Sequence, residues 1–265
     1  MSGGYRWDAA DYARNSAAQQ SWALELIDKL SLAGAETVLD SGCGDGKVTA
    51  EIARRVPRGS VTGVDSSPDM VAAARRAWPR EVQANLDFQI ADARALPFES
   101  TFDVAFSNAT LHWVVDHRPV LRGVARALRP GGRLLFQFGG RGNGAAIFAV
   151  AEEMTGSAAW RRFFEGFVFP WGFYGPEEYA SWCREAGLEP RRVELLPRAM
   201  HQQGRAGLAS WIRTTWLPYT ERVPAERREE FVTLATELYL ARRPLDAEGR
   251  AVVDMVRLEV DAARP

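Results

Sequence analysis

Short apolar runs separated by glycine turns and helical stretches order the chain between residues 36 and 138. Val38 and Leu39 end in Asp40, and a turn built on Gly42, Gly44 and Gly46 follows, after which Lys47 opens a helical pattern. The same grammar predicts strands over 60–65, 86–90, 102–107 and 133–138, the last preceded by the helix stop and turn Leu128-Arg-Pro-Gly-Gly132. Strands alternating with helices imply βαβ crossovers and therefore a parallel sheet. Upstream, Trp22, Leu26 and Leu30 recur every four residues, the stripe of an amphipathic helix. Gln19 extends that stripe by one turn, and an amide there needs partners, either nearby backbone or a ligand. Downstream, a sixth strand is predicted over 191–196. The remainder reads as helical: Phe231, Leu234, Ala235 and Leu238 follow i, i+3, i+4, i+7, and Val252 with Val256 repeats the spacing.

The stretch 139–190 differs in character. Trp160, Phe163, Phe164, Phe167, Phe169, Trp171, Phe173 and Tyr174 place eight aromatics in fifteen residues, more than sheet packing requires. They form either a cap over a ligand pocket or a hydrophobic mini-core, and both readings predict a mainly apolar pocket. The expected organisation is an N-terminal helical lid (1–35), a ligand-binding core (36–140), a cap insertion (141–190) and a C-terminal part (191–265) completing domain and pocket.

Length and composition bound the possibilities. With 265 residues, 46% of them hydrophobic, the chain can bury one substantial core carrying an inserted cap. The net charge of −1, with scattered Lys and Arg, offers no basic face for nucleic acid. No apolar run approaches the ~18 residues of a membrane-spanning helix, and residues 2–6 lack a signal-peptide core. Cys43 and Cys183 suggest no disulfide framework, so a cytoplasmic location without membrane insertion is expected. The cysteines and histidines show no ligand spacing, and no metal is expected.

The strand ends carry the candidate chemistry. A dinucleotide fingerprint would place a third glycine three positions after Gly44, where this chain has Lys47. Asp40 at the end of the first strand suits a ligand with an ammonium group and repels a pyrophosphate, which favours S-adenosylmethionine. Asp65, about 20 residues beyond the glycine turn, can accept both hydroxyls of a ribose. Ser66 and Ser67 are candidate helix caps, and Met70 suits either an adenine face or the core. Asp92, followed by Ala93, can accept from an adenine amino group, and Asn108 ends the fourth strand. Four polar residues at four strand ends match the edge where such sheets bind ligands.

The segments V-L-D-S-G-C-G-D-G, V-T-G-V-D-S-S, A-D-A at 91–93, F-D-V-A-F-S-N and L-R-P-G-G resemble the class I S-adenosylmethionine-dependent methyltransferases, in order and at family-like spacing over residues 36–138. The resemblance implies a Rossmann-like seven-stranded, mostly parallel sheet with an antiparallel last strand and helices on both faces. It makes Asp65 the ribose ligand and Asp92 the adenine ligand, with Gly42 and Gly44 against the methionine portion. The full candidate cofactor set is Tyr12, Asp40, Gly42, Cys43, Gly44, Asp65, Ser66, Met70, Asp92, Ala93 and Asn108.

Tyr12-x-x-Asn15-x-x-x-Gln19, followed by Leu111-His112-Trp113-Val114, is similar to the branch holding juvenile hormone acid and trans-aconitate methyltransferases. In its juvenile-hormone-acid members a Gln and a Trp hold the substrate carboxylate, which carries over to Gln19 and Trp113. A carboxylate is ionised at neutral pH and needs no base, so two neutral donors that orient it are sufficient chemistry. The expected acceptor is a small acid with an apolar body. The competing expectations are N-, C- or hydroxyl O-methylation with His112 as base, whose rate would fall on acidification, and a non-catalytic S-adenosylmethionine-binding partner protein. His117 and His201 complete the histidine inventory.

Overall fold

In chain order the elements are α1 (Ala17–Lys29), β1 (Thr37–Ser41), α2 (Lys47–Arg55), β2 (Ser60–Asp65), α3 (Pro68–Ala77), β3 (Leu86–Ile90), β4 (Phe102–Asn108), α4 (Arg118–Ala127) and β5 (Leu128–Gly139). They continue with α5 (Ala145–Gly156), α6 (Pro176–Glu185), β6 (Glu189–Gln202), α7 (Gly204–Thr215), α8 (Leu217–Thr220), α9 (Arg228–Arg242) and β7 (Ala251–Ala263). The structure is a computed structural model that describes residues 17–265, with side chains from Trp22 onward. Tyr12, one of the expected cofactor ligands, lies outside the described residues, as does the side chain of Gln19.

Seven strands form one sheet in the order β3-β2-β1-β4-β5-β7-β6. The β1–β2, β1–β4, β2–β3 and β4–β5 pairs are parallel, and β7 runs antiparallel to β5. The parallel strands are buried on both faces, which is why they read as apolar runs rather than alternating ones. Successive residues nevertheless point to opposite faces. Val38, Val61, Val104, Phe106 and Leu135 join Leu26, Ile27 and Leu30 of α1, Ala50 and Ile52 of α2, and Val71 and Ala74 of α3. Their neighbours Leu39, Val64, Ala105, Leu134 and Phe136 join Val120, Leu121 and Val124 of α4 and Tyr179 and Cys183 of α6. Helices therefore cover both faces.

The chain divides into two compact units. The sheet unit holds residues 19–141, 171–196 and 257–265; the second holds 142–170 and 197–256. In the second unit α9 lies against α7 and α5. Its core is aromatic: Trp160 meets Phe231 edge-on at 5.1 Å, Phe164 stacks on Phe231 at 5.8 Å, and Phe167 lies 4.7 Å from Tyr219. Arg227 sits over the Trp160 ring at 4.2 Å.

Two expectations change here. Val252 and Val256 belong to β7, not to a helix. Residues four apart share a face in a strand as well as in a helix, so their spacing could not separate the two. Within this strand Ala251, Val253 and Met255 are the buried set, while Val252 and Val256 are half-buried. In α9 the buried stripe runs through Phe231, Val232, Ala235, Thr236 and Tyr239, with Leu234 and Leu238 only half-buried. The aromatic run is divided in its packing: residues up to 170 count with the second unit and those from 171 with the sheet unit. Likewise α1 from Gln19 onward counts with the sheet unit, its Leu26, Ile27 and Leu30 sealing one sheet face.

Candidate active site

The strand order reverses between β1 and β4, and the crevice at the carboxyl ends there is where an open α/β sheet accommodates a ligand. The two loops flanking it are tied together. Gly42 and Cys43 donate their N–H groups to Val64 O at 2.7 and 3.0 Å, and Thr110 Oγ1 donates to Gly42 O at 2.9 Å. Gly42 has φ +84°, and a Cβ there would lie 2.0 Å from Thr110 Cγ2, so only glycine lets the loops meet. Gly44 has the opposite surroundings. At φ +53° a Cβ on it would meet nothing within 4 Å, which leaves open space beside its backbone.

Asp65 at the end of β2 borders that space. Its Oδ2 accepts from Gly44 N–H at 3.0 Å and its Oδ1 from Ser67 N–H at 2.8 Å. Burial raises its carboxyl pKa, and these backbone donors oppose the rise. Ser67 caps α3 by accepting from Met70 N–H at 3.3 Å, Met70 is buried, and Ser66 is exposed. Asp40 is buried and accepts from Thr49 Oγ1 at 2.7 Å. Burial pushes its carboxyl up to about 7, and the nearby Asp65 charge adds to the rise. Cys43 is a buried thiol whose pKa burial drives far up, so it is inert packing beneath the loop. Asp92 accepts from the Arg94 backbone N–H at 2.8 Å and from Arg94 Nε at 2.9 and 3.0 Å, a clasp that lowers its pKa. Ala93 follows it in a single turn of 3₁₀-helix, Ala93–Ala95.

On the other side of the crevice, Asn108 ends β4 and Ala109 takes φ +54°, an uncommon conformation for a residue with a Cβ and a small store of strain. The single turn Leu111–Trp113 follows. His112 O accepts from Gly172 N–H at 2.9 Å, which brings the second half of the aromatic run to this loop. Trp113 lies 5.4 Å from Trp171, His112 lies 6.2 Å from Phe173, and Trp171 stacks on Phe173. Burial, with the Arg257 charge and His117 nearby, holds the His112 imidazole well below its ordinary range. Its Nδ1 accepts a long bond from Gly139 N–H at 3.5 Å. His117 is a core residue: Nε2 lies 2.8 Å from Val114 O, Nδ1 lies 3.3 Å from the Tyr179 hydroxyl, and burial lowers its pKa to about 4.

Residues 39–136 match the model of a family described as a methyltransferase domain. The trans-aconitate 2-methyltransferase of Methylobacterium nodulans is 30% identical over 272 residues, covering 97% of this chain and 98% of that one. The chain belongs to the S-adenosylmethionine-dependent methyltransferases. An uncharacterized methyltransferase of Schizosaccharomyces pombe is 34% identical over 197 residues, covering 72% of this chain and 74% of its own. Among solved structures, the YcgJ protein of Bacillus subtilis superposes with a TM-score of 0.62 at 18% identity, over 92% of this chain and 98% of that one. A geranyl diphosphate methyltransferase in complex with S-adenosylmethionine gives a TM-score of 0.55 at 21% identity, over 92% and 85%. These likenesses establish the fold.

The methyltransferase thus brings the strand-end residues Asp40, Gly42, Gly44, Asp65 and Asn108 to one edge of one sheet, and His112 and Trp113 to the neighbouring loop. Sequence reasoning missed a polar group on the sheet face that α1 covers. Glu259 of β7 is fully buried, with Lys29 Nζ and a guanidinium nitrogen of Arg192 each at 2.7 Å and Gln137 Nε2 at 2.9 Å. Two residues earlier, buried Arg257 donates from Nη2 to Gln137 O at 3.3 Å and lies 5.6 Å from the Trp22 ring. Gln137 was visible as one polar residue within an apolar strand. Arg257 and Glu259 gave no signal, because β7 itself was misread.

Proposed function

We propose that this methyltransferase transfers the methyl group of S-adenosylmethionine to a carboxylate oxygen of a small organic acid. The observation that carries the reading is the state of the single imidazole at the acceptor loop. His112 is held well below its ordinary range, so it is a weak base, ill suited to deprotonating a phenol, hydroxyl or carbon acid. A carboxylate arrives ionised and needs no base. The name of the Methylobacterium nodulans relative, which covers nearly the whole chain, supports the same acceptor class.

The residues fit the cofactor in two observed respects. The backbone at Gly44 borders open space, and the half-buried Asp65 carboxylate stands beside it with acceptor capacity beyond its two backbone donors. Asp65 would hold the ribose hydroxyls, Asp40 would attract the ammonium group, Asp92 would meet the adenine amino group, and Gly42 and Gly44 would border the methionine portion. When bound, S-adenosylmethionine supplies a sulfonium-activated methyl group, which the acceptor oxygen displaces in line as the sulfur takes the electron pair. The protein's own contribution is alignment: Trp113 offers an indole N–H, and Gln19 on α1 an amide, to orient an oxygen without removing its nucleophilic lone pair. Trp171, Phe173 and His112 enclose the acceptor's body and exclude water.

The test is methyl transfer at saturating labelled S-adenosylmethionine to trans-aconitate, octanoate and 4-propylphenol, reading base-labile methyl ester. Trp113→Phe is expected to lower turnover of an acid about tenfold to a hundredfold, the loss of one orienting donor, with cofactor affinity unchanged. His112→Ala should cost less. Because burial holds the imidazole well below its ordinary range, a histidine base would already be unprotonated at neutral pH, and the pH profile does not discriminate. The bond formed and the His112 variant do. Base-stable product on the phenol, together with an inactive His112→Ala, overturns the carboxylate reading in favour of base-assisted transfer.

A further inference from the structure

Thr49 is the third residue of α2 and is fully buried. A threonine inside a helix ordinarily turns its hydroxyl back onto a carbonyl of the preceding turn. Thr155, Thr214, Thr215, Thr220 and Thr236 each do so here. Thr49 instead donates across to the end of β1, from Oγ1 to Asp40 Oδ2 at 2.7 Å. Among the described residues that hydroxyl is the one hydrogen-bond donor the Asp40 carboxylate has, and Oδ1 accepts from none. The groups facing Asp40 are acidic or apolar. Asp65 faces it from the end of β2 and Cys43 from the glycine turn, while Phe106 of β4 is its strand neighbour. α1 and α3 cover this side of the sheet with apolar residues, and Lys47 of α2 lies 3.4 Å from Asp45. Burial and the Asp65 charge both disfavour the Asp40 carboxylate, and the Thr49 hydroxyl opposes them.

From this geometry we infer that Thr49 is a positioning residue for the cofactor: its hydroxyl keeps Asp40 an anion and leaves Oδ1 for the ligand's ammonium group. The inference rests on the reading that Asp40 attracts that group. A hydroxyl bonds an ionised carboxylate more strongly than a neutral acid, so the bond favours the charged form. The positive end of α2, in whose first turn Thr49 lies, acts in the same direction. A protonated Asp40 loses its Coulomb attraction for an ammonium group, so apparent affinity follows the fraction of the protein in which Asp40 is ionised. That fraction is about half near neutral pH, where the Asp40 carboxyl titrates at about 7. Removing the hydroxyl should therefore weaken the cofactor near neutral pH and hardly at all in base. A residue that only packs α2 onto the sheet would weaken it equally at every pH.

The experiment is calorimetric titration with S-adenosylhomocysteine at pH 7 and pH 9, with circular dichroism on each protein. It uses wild type, Thr49→Val, Thr49→Ser, Asp40→Asn and the double variant of Asp40→Asn with Thr49→Val. Each affinity is read as a ratio to wild type at the same pH, so titration of the ligand's own amino group cancels. Thr49→Val should bind about 5- to 50-fold more weakly at pH 7, the loss of one hydrogen bond to a carboxylate expressed through its ionised fraction. At pH 9 it should come within about twofold of wild type, because Asp40 is then ionised without help. Thr49→Ser should match wild type at both pH values. In the Asp40→Asn background, Thr49→Val should change affinity by less than about twofold, since no charge is left to hold. If Thr49→Val does not fold, Thr49→Ala is read by the same ratios. A loss in Thr49→Val that is absent at pH 7, equal at pH 7 and pH 9, or undiminished in the Asp40→Asn background overturns the inference. Should Asp40→Asn itself bind weakly in that case, Asp40 keeps its place in the cofactor site and only the role of Thr49 falls. If Asp40→Asn binds as tightly as wild type, the ammonium role of Asp40 falls and the inference falls with it.

Discussion

Asp65→Ala is expected to weaken S-adenosylhomocysteine binding by about 2–4 kcal/mol, roughly 30- to 1,000-fold, because it removes charge-assisted acceptors from both the ligand and the loop. The carboxylate accepts from Gly44 N–H and Ser67 N–H, so its loss takes away the proposed ribose partner and frees the glycine turn at the same time. Asp65→Asn keeps one acceptor oxygen and should recover part of the affinity. Calorimetry on folded variants checks both. Unchanged affinity in Asp65→Ala would remove Asp65 from the cofactor site, whatever the acceptor proves to be.

Asp40→Asn should stabilise the ligand-free protein at pH 8 and do so much less at pH 5. Burial raises the Asp40 carboxyl from an ordinary value of 3.8 to about 7, so between those values the folded chain holds a proton that the unfolded chain has released. Stability therefore falls as pH rises from about 4 to about 7, and above pH 7 the cost is constant. A rise of that size corresponds to about 4 kcal/mol at pH 8 and, at pH 5, to about 1–2 kcal/mol. Asn retains an oxygen for the Thr49 hydroxyl and removes the charge, so the gain from the substitution should differ by about 3 kcal/mol between the two pH values. Urea unfolding at pH 5 and pH 8 measures it. A gain that does not change with pH would show that Asp40 titrates normally. The same substitution should weaken S-adenosylhomocysteine, since the charge that destabilises the free protein is the one proposed to attract the ligand's ammonium group. Stability given up at this position would then serve binding.

The two histidines show how far residue type alone carries an argument. His112 and His117 stand five positions apart, and the sequence singled out His112 as the candidate base without showing how either ring is enclosed. In the fold His117 is enclosed by Val114 O and the Tyr179 hydroxyl, while His112 lies at the ligand edge among Trp113 and Phe173. The aromatic run shows the same limit. Its abundance was plain, but Trp160, Phe163, Phe164 and Phe167 build the core of the second unit with Tyr219 and Phe231, whereas Trp171 and Phe173 reach His112 and Trp113.

What this sequence determined by itself is local and periodic. Glycines at the positive-φ positions 42, 44 and 46, acids closing β1 and β2, and buried runs between helical stretches all lie within a few residues of one another, so their physics is complete within a short window. From those windows came the parallel sheet and the methyltransferase family. The tertiary structure decided whatever depends on partners far along the chain. The stretch 251–263 became a strand because the exposed side of β5 had to be paired, and no spacing within it distinguished that outcome from a helix. Once β7 lies antiparallel to β5, Glu259 meets Lys29 from 230 positions away and Gln137 from 122, and Arg257 comes level with Gly139 at the edge where His112 waits. Burying a carboxylate and a guanidinium is tolerable only with such partners in place, and those partners are assembled by strand register rather than by sequence proximity.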